Sequence, residues 1–427
     1  MSSQPFSVLS ARSALKHLFS RRNFLGASTA AVAGALASER AAAQANAQGS
    51  EQAHSASDPG PQNRALQQLF PSSVSPPPTD HALPPTFWSS FSMMHRRIQD
   101  GGWSRQVNVN DFPISKDIAG VNMRLTAGGI RELHWHEADE WAIMLYGNCR
   151  ITAVDVDGGT FVDDVSAGDL WYFPTGVPHS LQGLGPDGCE FLLVFDDGKF
   201  SEDNTTLLSD WMIHTPPDVV AKNWSVPESA LASFKTIPQE GRYIFQAAVP
   251  GGLEQDRSAA INSGQRSTQT FDFRMMRMQP QKSDRSGEVR IVDSTNFAAS
   301  QNIAMAHVTV KPGGMRELHW HPNANEWQYY IAGKGRMTVF FNRAEARTAD
   351  FNPGDVGYIP QTLGHYIENT GDTDLVFLEM FKTSHYQDIS LNQWLTHIPP
   401  ELVTQHLGIS PETLQAIPKA NTAIVPG

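Results

Sequence analysis

Beyond about residue 85, apolar positions come in short runs of strand length, set apart by Gly, Pro and Asp. "CRITAVDV", "DLWYFP" and "EFLLVFD" occur in that order, and "RMTVFF", "DVGYIP" and "LVFLEMF" follow later. Alternation with period two, or a brief apolar run bounded by turn residues, predicts β-strands. Strands this closely spaced are expected to close into a barrel or sandwich, which removes exposed edges. Helix is scarce. Its clearest stretches are "SDWMIHTPPDVVAKNW" and "LNQWLTHIPPELVTQHLG", each following the last strand of its copy and expected to flank a barrel.

The order of runs repeats because the unit itself is written twice. "RELHWHEADEW" begins at Arg131 and "RELHWHPNANEW" at Arg316, an offset of 185 residues. "AGDLWYFP" ends at Pro174 and "PGDVGYIP" at Pro360, and His179 matches His365 at the same offset of 186. The extra residue falls between the second His of the motif and its Glu. A period this long means duplicated domains rather than a solenoid. The expected division is 86–237 for the first domain and 238–427 for the second, preceded by a polar, Pro-rich extended arm over 46–85.

A length of 427 residues suits about two domains, and 40% hydrophobic content is enough for packed cores. With 32 Lys and Arg against 44 Asp and Glu, the net charge of −12 argues against nucleic acid and against a basic membrane footprint. An anionic substrate therefore needs local Arg or metal charge. Residues 1–45 read as an address: Arg21-Arg22 precede the weakly hydrophobic "GASTAAVAGALA" and then "AAAQANA", the pattern of a twin-arginine signal. The expectation is export by the twin-arginine translocation machinery, to the periplasm or beyond, without stable membrane anchoring. The two cysteines, Cys149 and Cys189, make no disulfide framework. An oxidising compartment would permit them to pair, and two separately buried thiols fit the sequence equally well.

His134 and His136 lie two apart, so on a strand both face the same way. Glu140 follows within the hairpin, and His179 comes from a later strand after a Pro-Gly turn; His319, His321, Glu326 and His365 recur in the same order. Three imidazoles and a carboxylate make a metal site with two open octahedral positions. Trp135 and Trp320, between the paired His residues, should point away from the metal, packing outside the barrel or at a subunit contact.

These motifs resemble the cupin superfamily. Gly128 to Gly147 and Gly313 to Gly333 resemble its first motif; Gly168, Pro174, Gly176 and His179, with Gly354, Pro360, His365 and Asn369, resemble its second. Two positions depart: Gly183 stands where Asn is usual, and Thr362 replaces the Gly after Pro360. The resemblance implies an all-β chain of two jelly-roll barrels in tandem with short flanking helices. From about Phe87 to about Leu407 the chain more specifically resembles bacterial oxalate decarboxylases, through "MRELHWHPNANEWQYYIAGKGRMTVF", "SLNQWL", "WYFPTGVPHS" and "EFLLVFDDGKFSE".

That resemblance implies oxalate as substrate, Mn(II) at both sites, and dioxygen as a cofactor that is not consumed. The residues alone would also accept Fe, Co, Ni, Cu or Zn. Export of the folded protein would let manganese be captured in the cytoplasm before competing metals are met. The implied route is redox-neutral: an electron is drawn from oxalate, carbon dioxide leaves, and the formate-level radical is protonated and regains its electron. Arg131 and Arg316 would polarise the substrate, although their separation of three from the first ligand His requires a bend. Glu202, in a lid starting Ser201-Glu202, would shuttle the proton; Asp203-Asn204-Thr205 departs from the usual lid tail. Glu379 stands on a strand where the first copy has Leu193, and either assists chemistry at the second site or pairs with Arg316. The first copy, longer by three residues in this lid region, is expected to be the main catalytic site. An oxalate oxidase releasing hydrogen peroxide, and a non-catalytic manganese-holding bicupin, are the alternatives. The family also implies a homo-oligomer, trimeric or hexameric.

Overall fold

The computed structural model describes residues 60–262 and 264–427. The segment read as an export signal, 1–45, lies outside the described residues. Among those described, no helix is long and apolar enough to cross a membrane.

Each repeat folds into two antiparallel sheets facing one another. In the second half a seven-stranded sheet centres on Glu326–Ala332, Leu375–Phe381 and Ala304–Val310, opposite a six-stranded sheet that carries Met315–Trp320 and His365–Asn369. In the first half the long strand Glu140–Val154 runs through both layers. It pairs with Cys189–Phe195 and Leu170–Phe173 at its start and with Gly159–Ser166 and His179–Gly183 at its end. The all-β, two-barrel expectation holds.

The run "EFLLVFD" is apolar on both faces because both are buried. Cys189, Phe191, Leu193 and Phe195 line the first barrel's core, while Leu192 and Val194 join a second core between the halves. That shared core also takes Trp141 and Tyr172 from one repeat and Trp327, Tyr358, Leu378 and Met380 from the other. Period-two geometry sends alternate side chains to opposite layers. In Leu375–Phe381 the same alternation places Glu379 on the interior face with Leu375 and Phe377.

Strand pairing crosses the expected domain boundaries. Trp88–Ser90, from the start of the first domain, pairs with Asp355–Gly357 of the second. Ile244–Gln246, Gln265–Arg266 and Asp272–Phe273, all beyond residue 237, pair with the first barrel. Ile244–Gln246 closes its own repeat, as Ile424–Val425 closes the second on the equivalent strand, so the first domain runs past 237. Trp88–Ser90 and Asp272–Phe273 are the exchanged pair, each covering an edge of the opposite barrel. The arm also needs correcting. It holds short helices at Arg64–Leu69 and Pro71–Val74. It then docks on the second half, where Asp80 accepts from Thr348 N at 2.9 Å and Thr348 Oγ1 at 2.6 Å. The two cysteines are free and buried.

Candidate metal centres and active site

A regular strand would send Arg131 and His134 to opposite faces, and a β-bulge prevents this. Arg131 pairs with Leu181 and His134 with His179, so three steps on one strand span two on its neighbour. Arg316 with Ile367 and His319 with His365 repeat the device. Because Leu181 and His179 share a face, so do Arg131 and His134. The required bend is therefore present in both copies. The bulge also buries Glu132, whose carboxylate accepts from Ser209 N at 2.9 Å, Arg242 N at 2.8 Å and Tyr243 N at 2.7 Å.

The structure brings both quartets together. Ligand atoms of His134, His136, Glu140 and His179, and separately of His319, His321, Glu326 and His365, lie within 4.8 Å of one another, and all eight residues are buried. Every imidazole holds a backbone carbonyl through Nδ1: Glu132 O for His134 at 2.6 Å, Ala138 O for His136 at 2.6 Å and Val177 O for His179 at 2.8 Å. In the second half the partners are Glu317 O at 2.6 Å, Gln387 O at 2.7 Å and Leu363 O at 3.0 Å. A carbonyl only accepts, so each Nδ1 carries hydrogen, which leaves each neutral ring an Nε2 lone pair for a metal. Oε2 of Glu326 lies 3.1 and 2.9 Å from Nε2 of His321 and His365, and Oε2 of Glu140 lies 3.2 Å from Nε2 of His136. The Nε2 atoms of His179 and His319 are buried with no hydrogen-bond partner. Lone pairs converging on a carboxylate fit a divalent cation.

The electrostatics divide the rings: against burial, the Glu326 carboxylate raises His321, while three others are lowered. Burial, reinforced by Arg131, holds His134 well below the ordinary imidazole range, and burial with Arg316 does the same to His319. Burial alone would raise the Glu140 and Glu326 carboxyls, but the facing imidazoles, where protonated, outweigh it and keep both well below the usual range. That positive charge is one a bound cation would supply in their place. The other carboxylate oxygens are braced: Trp171 Nε1 donates to Glu140 at 2.8 Å and Gln328 Nε2 to Glu326 at 2.6 Å.

Glu202 is closed over the first site. It is 8% exposed and opens a short 3-10 turn, Glu202–Asn204, in which Ser201 caps the Asp203 amide. Its Oε2 accepts from Arg131 Nη2 at 2.9 Å and from Tyr243 OH at 2.7 Å, while Ser104 Oγ lies 2.6 Å from that phenol. Burial and the Glu202 charge push the Tyr243 phenol far up, so it stays a donor. The Arg131 guanidinium lies 4.3 Å from the Tyr243 ring centre. Arg131 Nη1 is buried and unpartnered. The departing lid residue Asp203 pairs with Arg97 at 3.0 Å on the surface.

The second site differs at this point. Arg316 donates to Glu379 at 3.1 Å, Ala423 O at 3.2 Å, Tyr386 OH at 2.7 Å and Asp388 at 2.8 Å. Burial pushes the Glu379 carboxyl up, opposed by Arg316. Of the two readings of Glu379, pairing with Arg316 is what the geometry displays. Trp135 and Trp320 lie against Trp211 and Trp394 at 5.5 and 5.6 Å, edge to face. Sequence reasoning missed Tyr243, Tyr386 and Asp388. The first stands past the expected domain boundary, and a lone Tyr or Asp in a connecting segment carries no spacing signal.

Comparison with known proteins places these features. The cupin family model matches twice, over residues 91–230 and 276–415. Oxalate decarboxylase OxdC of Bacillus subtilis is 48% identical over 365 residues, covering 86% of this chain and 93% of the relative. A probable oxalate decarboxylase of Arthroderma benhamiae is 40% identical, covering 86% and 90%. Among solved structures, the Bacillus subtilis enzyme at pH 4.6 superposes with a TM-score of 0.83 at 47% identity, covering 86% of this chain and 95% of that one. A structure from work on the Mn(II) centres of the same enzyme gives the same score, covering 87% and 96%. With two cupin repeats, two His3Glu sites and this identity across most of its length, the chain belongs to the oxalate decarboxylase family of bicupins.

Proposed function

We propose that this chain converts oxalate to formate and carbon dioxide at the first of its two sites. The observation that carries the choice of site is the state of the two arginines. Arg316 has partners on Nε and both terminal nitrogens, whereas Arg131 keeps a buried, unpartnered Nη1 beside a carboxylate, Glu202, that can leave with its lid. A guanidinium with a free donor in a buried pocket is suited to a substrate carboxylate.

The net reaction is oxalate dianion plus one proton giving formate and carbon dioxide; the C–C bond breaks and the proton ends on the formate carbon. Manganese held by His134, His136, Glu140 and His179 would supply the one-electron chemistry, with dioxygen as co-reactant. The chain supplies the rest. Arg131 neutralises and orients the anion. Its bond and that of Tyr243 to Glu202 both fall on Oε2, which leaves Oε1 as the oxygen to carry the proton. The closed lid keeps bulk water from the carbon to be protonated. The second quartet, with its arginine committed to Glu379 and Asp388, serves as a structural or weakly active centre.

Export through the twin-arginine pathway and assembly into trimers or hexamers belong to the same reading. N-terminal sequencing of secreted protein and light scattering test them. The function itself is tested by stripping the purified protein of metal and restoring manganese. Formate production should vanish and return, and oxalate left untouched by the manganese-loaded protein would overturn the proposal.

A further inference from the structure

Two polar clusters at the junction of the halves remain outside the chemistry above, and each touches the residue that precedes a ligand glutamate. In the first, Asp139 is buried beside Glu140 and its carboxylate accepts from Tyr172 OH at 2.7 Å, Thr175 N at 2.6 Å and Thr175 Oγ1 at 3.0 Å. It also accepts from Asn302 Nδ2 at 2.5 Å, and Asn302 belongs to the opposite half. In the second, Asn325 precedes Glu326; its Oδ1 accepts from Gln361 N at 2.7 Å, and its Nδ2 donates at 2.7 Å to Asp117 of the first half. Tyr358 OH donates to that same Asp117 at 2.5 Å.

The clusters are related by the repeat, but their chemistry is exchanged. Asp139 and Asn325 are equivalent positions, in "ADEW" and "ANEW", and Asp117 and Asn302 are equivalent in "DIA" and "NIA". Each cluster therefore holds one Asp and one Asn. The carboxylate comes from the site's own half in the first and from the opposite half in the second. The Tyr comes from the site's own half in both and donates to whichever residue is the Asp. Loop position is also matched: Ser115 Oγ donates to Ile118 O and Ser300 Oγ to Ile303 O, bracing both donor loops. A further bond ties Asp139 N to Asp196 at 2.9 Å, and Lys382, equivalent to Asp196 in the repeat, reaches Asp196 O at 2.5 Å.

We propose that Asn302 and Asp117 are positioning residues for the metal centre of the opposite half, each setting the backbone from which a ligand glutamate projects, with one carboxylate required per cluster. The inference rests on the two quartets holding metal. Groups that orient a ligand from behind commonly shift metal affinity by about 10–100-fold when altered.

The test uses three full-length proteins, loaded with manganese at low ionic strength against a competing chelator: the wild type, Asn302→Asp, and the exchange Asp139→Asn/Asn302→Asp. Anomalous diffraction at the manganese edge reads occupancy at each site, and thermal melting reports folding. Asn302→Asp sets two carboxylates against each other and should weaken the first site by about tenfold while leaving the second filled. The exchange rebuilds at the first site the arrangement that the second already has, and should restore it. A folded Asn302→Asp protein with both sites equally filled would overturn the proposal, as would a folded exchange variant that fails to recover manganese. Asn325→Asp, with its exchange Asp117→Asn/Asn325→Asp, asks the same of the second site should the first pair not fold. A wild type that takes up no manganese would overturn the metal reading and this inference with it.

Discussion

Glu202 reaches its position through two hydrogen bonds to one oxygen and a turn that seals it from solvent. Replacing it by Gln keeps the shape and removes the transferable proton. Formate production by Glu202→Gln should fall by about 10²-fold or more with both quartets still able to bind metal, as measured by product analysis beside metal content. A second residue carries a consequence for stability. His307 is buried in the second half and paired in register with Arg290; burial, reinforced by that charge, lowers it to about 4. Since the folded state holds the ring neutral and the unfolded state does not, stability is full above about pH 6.5 and is lost as pH falls towards 4. The loss is on the order of 3 kcal/mol at most. His307→Gln should flatten the melting temperature between those pH values, and an unchanged slope would contradict the assignment. All eight ligands were legible in the sequence because spacing carries them: His-x-His fixes one strand face, and duplication repeats it. Tyr243 and Tyr386 were not, since what places them is three-dimensional proximity across a connecting segment.

At the level of the element, the bulge explains how an arginine three residues from a ligand comes to share its pocket, a need that sequence exposed without showing the solution. The turns after Pro174 and Pro360 show a departure with a physical cost. Gly176 adopts φ +74° and donates its amide to His136 O; Thr362 takes the same place with φ +70° and donates to His321 O. A β-branched residue in the left-handed region costs about 1–2 kcal/mol relative to Gly. Thr362→Gly should therefore raise the melting temperature by a few degrees without loss of the second metal site; a lower one would show that the Thr side chain compensates.

On the scale of the whole molecule, the repeat predicted two barrels but not their exchange of edge strands. Trp88–Ser90 serves the second barrel and Asp272–Phe273 the first, and a single apolar core joins the two between them. Hydrophobic pattern identifies a strand without naming its neighbour, so boundaries drawn from periodicity cut through both exchanges. The halves should consequently unfold together. Calorimetry is expected to record one transition for the whole chain, and fragments 86–237 and 238–427 made separately should lack stable structure by circular dichroism; two independent transitions would contradict this. Tyr243 meets Glu202 just before the strand that closes its own repeat, beyond the boundary that periodicity drew.

The measurement that bears most directly on all of this follows doubly ¹³C-labelled oxalate by NMR with the manganese-loaded protein in acidic, aerated buffer. The account predicts one labelled formate and one labelled carbon dioxide for each oxalate consumed. Two carbon dioxides with hydrogen peroxide and no formate would contradict it.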